Sequence, residues 1–229
     1  MSAIVWDQIG QKYYETGTDH GVLYLQDSSG AYPEGVAWNG LTGVTESPSG
    51  AEANKLYADN ILYANLRSAE EFGGTITAFT YPDEWEACNG EAELISGAVI
   101  GQQARKAFGL CYRTRIGNDI SEDAGYKLHL VYGATVSPSE RAYTTVNDSP
   151  EGIEFSWEFE TTPVPVPKIG DTSFRPTSVI TIDSRKYADT AGKAKLAALE
   201  AALYGTQNAD PYLPLPGQVY KLLGGEASV

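Results

Sequence analysis

Histidine, cysteine and positive charge are all scarce in this chain. Two histidines, His20 and His129, and two cysteines, Cys88 and Cys111, are all that 229 residues offer for imidazole or thiolate chemistry. No G-x-S-x-G elbow, H-E-x-x-H helix, paired C-x-x-C or phosphate loop occurs, so the usual nucleophilic, zinc and nucleotide sites lack their residues. The cysteines could form one bridge at most and are read as free, packed thiols of a reducing compartment. Sixteen Lys and Arg against thirty Asp and Glu leave a net charge of −14 and a pI near 4.5. A surface that adsorbs nucleic acid through its phosphates is thereby excluded as a general property. No run approaches the roughly 20 apolar residues of a membrane helix. The start, Met1 to Asp7, has no basic region followed by an apolar stretch, so neither export nor membrane insertion is expected.

What is present describes strands and turns. Hydrophobic residues make up 42% of the chain, enough for a core, and 24 Gly with 15 Tyr favour strand and turn over helix. The length fits a single domain over 1–229. Val22 to Gln26 reads as a buried strand, and Leu56 to Tyr63, Thr75 to Tyr81, Leu110 to Arg115 and Leu128 to Tyr132 as further strands. Ser178 to Asp183 is another. Trp38 to Gly50 is dense in Gly, Ser, Thr and Pro and reads as a long hairpin or excursion with a mobile tip. Ser68-Ala69-Glu70-Glu71 has capping-box spacing, but Gly73-Gly74 limits it to one turn. A short helix is expected near 82–89, with Pro82 in its first turn, and a longer one near 191–204, capped by Asp189 and ended by Gly205. Three prolines between Pro163 and Pro167 allow only an edge strand or extended link. Pro211, Pro214 and Pro216 predict an extended tail over 206–229.

The clearest period-two pattern is Ile153 to Glu160. Ile153, Phe155, Trp157 and Phe159 are assigned to the core, while Glu154, Glu158 and Glu160 face water or a channel. Other polar clusters carry weaker meanings. Asp119 to Gly125 imitates a calcium loop, but its glycine is one place late and Leu130 stands where the bidentate Glu belongs, so an acidic turn is the better reading. Glu84, Glu86, Glu91 and Glu93 could be posed as a glycosidase pair, a reading with no support from spacing. Tyr13, Tyr14, Tyr57, Tyr63 and Tyr81 could stack sugars, which keeps a monomeric β-sandwich carbohydrate-binding module as the alternative.

Taken in order, WNGLTGVTESPSGAE (38–52), LYADN (56–60), TAFTYPDEWEACNG (77–90), the segment from Tyr126 to Val166, RPTSVITID (175–183), ALEAALYG (198–205) and LPLP (213–216) resemble the major tail proteins of long-tailed, noncontractile bacteriophages of Gram-positive hosts. That resemblance implies a mainly β protein, a β-sandwich or partial barrel of the tail tube type with a flanking helix. It implies a structural virion protein with no enzymatic activity, no cofactor and no metal. Copies would close into hexameric rings and stack into a tube, the conduit for genome ejection. The implied partners are the chain itself, the tape measure protein, the tail terminator and the distal tail or baseplate proteins. DNA would pass transiently without specific binding, no membrane would be engaged, and assembly would take place in the host cytoplasm before the protein resides in the virion tail. The long loop at about 42–53 (Thr42, Gly43, Val44, Thr45, Glu46, Ser47, Pro48, Ser49 and Gly50 in particular) would contact the neighbouring ring. Glu154, Glu158 and Glu160 are the candidates for the lumen.

Overall fold

A computed structural model describes residues 3–146, 148 and 152–225. The chain is mainly β, with one large antiparallel sheet, three two-stranded pieces and a few short helices. The first half contains β1 (Tyr14–Leu25), β2 (Gly35–Ala37), β3 (Leu41–Glu46), β4 (Ser49–Gly50), β5 (Ala53–Ala58), β6 (Ile61–Arg67), β7 (Glu70–Glu71), β8 (Gly73–Ala78) and the helix α1 (Trp85–Asn89). The second half contains β9 (Ala92–Ile95), β10 (Ala98–Ile100), β11 (Phe108–Gly117), β12 (Gly125–Val136), β13 (Phe155–Thr161), β14 (Val179–Asp183), a 3₁₀ turn (Ser184–Tyr187), α2 (Thr190–Tyr204) and α3 (Pro216–Leu222). No helix among the described residues is long and apolar enough to cross a membrane.

The large sheet runs β2-β1-β11-β12-β13-β8-β3, and β12, paired with β11 along one edge, shares its other edge between two strands, β14 through Lys127 to Val131 and β13 through Ala134 to Val136. Its ends β2 and β3 are almost consecutive in the chain. Between them the Trp38 N–H donates to the Gly21 carbonyl at 2.8 Å, which draws the far end of the sheet back over β1. The central strands are consequently covered on both faces, which is why Leu128 to Tyr132 shows no polar alternation. On one face Tyr24, Leu130 and Tyr132 pack against Leu196, Leu199 and Leu203 of α2 and Val219 of α3. On the other, Leu23, Leu110 and Ile76 surround Trp38, Trp85 and Trp157, whose ring centroids lie 4.6 to 5.9 Å apart. Cys88 and Cys111 are free and buried in different clusters, and burial pushes both thiols up to about 12.

Several local expectations need correction. Thr42 to Glu46 is not a loop: it forms β3 and pairs with β8. On its partner β8, Gly74 reads as punctuation, yet it marks close strand approach: a Cβ there would stand 2.3 Å from the Thr45 carbonyl oxygen. Leu56 to Tyr63 is not one strand but a reversal, because Asp59 and Asn60 take φ of 52° and 63°, the left-handed pair of a tight hairpin. Glu70 and Glu71 pair with β4 and cap no helix. The tail after 206 is not extended throughout. Pro216 starts α3, where its missing N–H and fixed φ suit the first helical position, and residues 226–229 lie outside the described ones. The short helix starts at Trp85, three residues later than expected. In β13 Trp157 and Phe159 are buried, whereas Ile153 and Phe155 are only half-buried because the strand begins at Phe155, at the sheet's margin.

Candidate functional site

The outward faces of β13, β8 and β3 form one continuous polar surface. Register places Glu160 beside Gly73, Glu158 beside Thr75 and Ser156 beside Thr77, with Thr45 and Gly43 next along β3. The alternation that buries Trp157 and Phe159 necessarily turns Glu158 and Glu160 out, about 7 Å apart along the strand. Glu154 precedes the strand on the same side, and its carboxylate accepts a hydrogen bond from the Thr42 hydroxyl at 2.5 Å, tying β3 to the start of β13. All three acids are exposed. A polar trough of about 310 Å³ at the lower end is lined by Ser47, Glu71, Thr75, Ser137, Glu158 and Glu160, with no Lys, Arg or large exposed apolar side chain. The surface is thus small-residued, hydroxyl-rich and acidic.

Beyond β3 the chain leaves this face as an arm. Ser47 to Phe72 climbs through the β4–β7 pair into the β5–β6 hairpin, in which every residue but Ala64 is exposed. Leu56, Tyr57, Ile61, Leu62, Tyr63 and Leu66 are between 41% and 75% accessible. Of the nine residues expected in a ring-stacking loop, Thr42 to Glu46 therefore belong to the large sheet, and Ser47 to Gly50 form the root of the arm. The apolar tip lies farther on, and the two apolar runs Leu56-Tyr57-Ala58 and Ile61-Leu62-Tyr63-Ala64 on either side of Asp59-Asn60 are its signal.

Glu46, at this root, is exposed but leans onto the body of the subunit. It accepts from the Tyr112 hydroxyl at 2.5 Å and lies 3.4 Å from Nδ1 of His129, whose ring stacks on Tyr112 at 4.6 Å and whose Nε2 is 3.0 Å from the Thr114 hydroxyl. Glu15, paired with Lys127, completes the surroundings. Desolvation holds the His129 imidazole below its ordinary range, with Glu46 and Glu15 opposing. A group whose folded pKa is depressed binds fewer protons folded than unfolded, so stability is full above about pH 6.5 and falls as pH drops through the window between that value and the lower folded one. Replacing His129 by Gln is expected to flatten the thermal-melting profile across pH 5 to 7; an unchanged slope would contradict this assignment.

Several of the remaining polar candidates are engaged in structure, while Glu84 and Glu86 sit at the start of α1, Glu84 making no side-chain cap there. Asp119 accepts backbone N–H groups from Gly10 at 3.0 Å and Lys12 at 3.4 Å, which holds its carboxyl below the usual range. Glu91 pairs with Arg141 at 3.0 Å, and Glu93 accepts from the Gly97 N–H. His20 lies beside Asp19 in an irregular stretch of β1. Tyr57 and Tyr63 sit exposed on the hairpin, Tyr13 and Tyr14 lie exposed at the start of β1, and Tyr81 packs against Phe155 and Trp157. Among the described residues no group of three or more His, Cys, Asp or Glu converges to hold a metal ion. Compared with known proteins, the chain matches no family model and no curated sequence.

Proposed function

We propose that this protein is a structural subunit that assembles with copies of itself into hexameric rings, stacked as the tube of a noncontractile phage tail. In this reading the curled sheet with α2 and α3 on its flank is a tail-tube-type partial barrel. The β13–β8–β3 face turns to the lumen, and the arm reaches the next ring. The tube would enclose a tape measure protein, end on terminator and distal tail or baseplate proteins, and later conduct DNA.

The observation that carries the reading is the β5–β6 hairpin. An isolated two-stranded hairpin is at best marginally stable in water, and this one exposes six large apolar side chains. Its geometry makes sense when a neighbouring subunit covers it, since contiguous exposed apolar surface marks an interaction site. The acid-bearing face adds support, because an acidic wall without cations gives phosphates nothing to hold.

Negative-stain microscopy and sedimentation of the full chain test the proposal. Rings or tubes of regular repeat are expected at high concentration or together with tail partners. A protein that stays monomeric at about millimolar concentration and is missing from purified tails would overturn it.

A further inference from the structure

Three of the four tryptophans build the core, and the fourth does not. Trp6 is 75% accessible, within a segment where Ile4, Val5 and Ile9 are 75%, 64% and 82% accessible. This segment is nonetheless fixed where it leaves the body. The Gly10 N–H donates to both Asp119 carboxylate oxygens at 3.0 and 3.1 Å, and the Asn118 side-chain amide donates to the Gly10 carbonyl at 3.1 Å. Residues 3–9 are thus an apolar arm projecting from a clamp at the β11–β12 turn. Asp7 is their one charge.

A receptor of matching character lies elsewhere on the subunit. The stretch 165–180 and helix α3 border two adjoining, open hollows of about 470 and 490 Å³, on either side of Ile169 and Tyr220, which line both. Their walls include the flat rings of Pro165, Pro167, Pro176 and Pro216. In a chain with thirty acids, neither hollow is lined by a single Asp or Glu, while Lys168, Lys221 and Arg175 stand in the walls. The trough is apolar with a cationic border; the arm is apolar with one carboxylate.

We propose that the 165–180/α3 trough is the seat for residues 3–9 of a second copy of this chain, with Trp6 laid against the prolyl rings and Asp7 facing the lysines. Reach assigns the seat to another copy. From the clamp at Asp119 to the nearest trough wall at Ile180, which pairs with Leu130, the distance along β12 is roughly 20 Å. Seven extended residues span at most about 25 Å, so the arm would be spent on arrival at its own trough. The inference deepens the tube reading and depends on it only for the presence of a second copy.

Two full-length variants, Val5→Cys and Ile169→Cys, mixed under mild oxidation, test it. A disulfide-linked dimer is expected from the mixture and not from Val5→Cys mixed with Ser121→Cys; the native thiols are buried and do not compete. A soluble peptide of residues 3–12 should suppress the cross-link, and adding Trp6→Ala to the Val5→Cys chain should cut its yield about tenfold or more, as loss of a buried indole anchor does. Circular dichroism confirms folding, since Trp6 touches no core. A cross-link formed only when both cysteines share one chain, or none at all, overturns the proposal. Tubes that assemble without the cross-link leave the tube reading standing and remove this seat; cross-linked pairs that never form rings do the reverse.

Discussion

Excising the β5–β6 hairpin, by replacing Ala53 to Arg67 with a short Gly-Ser turn, is expected to abolish tube growth while leaving a folded subunit. The hairpin pairs only with itself, and none of its side chains belongs to either core cluster. Its removal should therefore change the melting free energy by less than about 1 kcal/mol, the scale of a surface change. Its apolar residues are the largest exposed apolar feature of the arm, and their burial at about 25 cal/mol per Å² is the main gain available to a stacking contact. Circular dichroism and microscopy of the excised protein read the two effects separately. Normal tubes from this variant would remove the arm from the assembly contact. A smaller deletion at Glu46 would confound the result, since Glu46 accepts from Tyr112 inside the subunit.

The second large effect concerns charge. Changing Glu154, Glu158 and Glu160 together to Lys is expected to leave tubes intact but to slow or stall genome exit from particles that carry the variant. Hexameric repetition would turn each acid into a ring of negative charge, and its reversal into a ring that grips phosphates. The delay should be greatest near about 0.01 M salt, where the Debye length is roughly 30 Å, and fade near about 1 M. Because Glu154 also accepts from Thr42, a Glu158→Lys/Glu160→Lys double variant isolates the electrostatic effect from any loosening of β3. Exit kinetics unchanged at low salt in both variants would show that this face does not line the channel.

What the sequence alone determined here is local and chemical. The alternation from Trp157 to Glu160 set which side chains are buried and which carboxylates are exposed, because a one-residue slip would bury the acids. Asp189 and the leucines at 196, 199 and 203 set α2, through a side-chain cap on the Gly192 N–H and a single apolar stripe. The tertiary structure decided what local signals leave open. Gly74 reads as a loop residue until strand pairing shows that it lets the backbones of β8 and β3 approach. The engagement of Glu46 depends on Tyr112 and His129, more than sixty residues away in the chain. Helix α3 depends on an apolar floor supplied by the strands and by α2. The bareness of the hairpin and of residues 3–9 is likewise a tertiary fact: exposure is the absence of a packing partner, and no pattern within a segment states what the rest of the chain fails to cover.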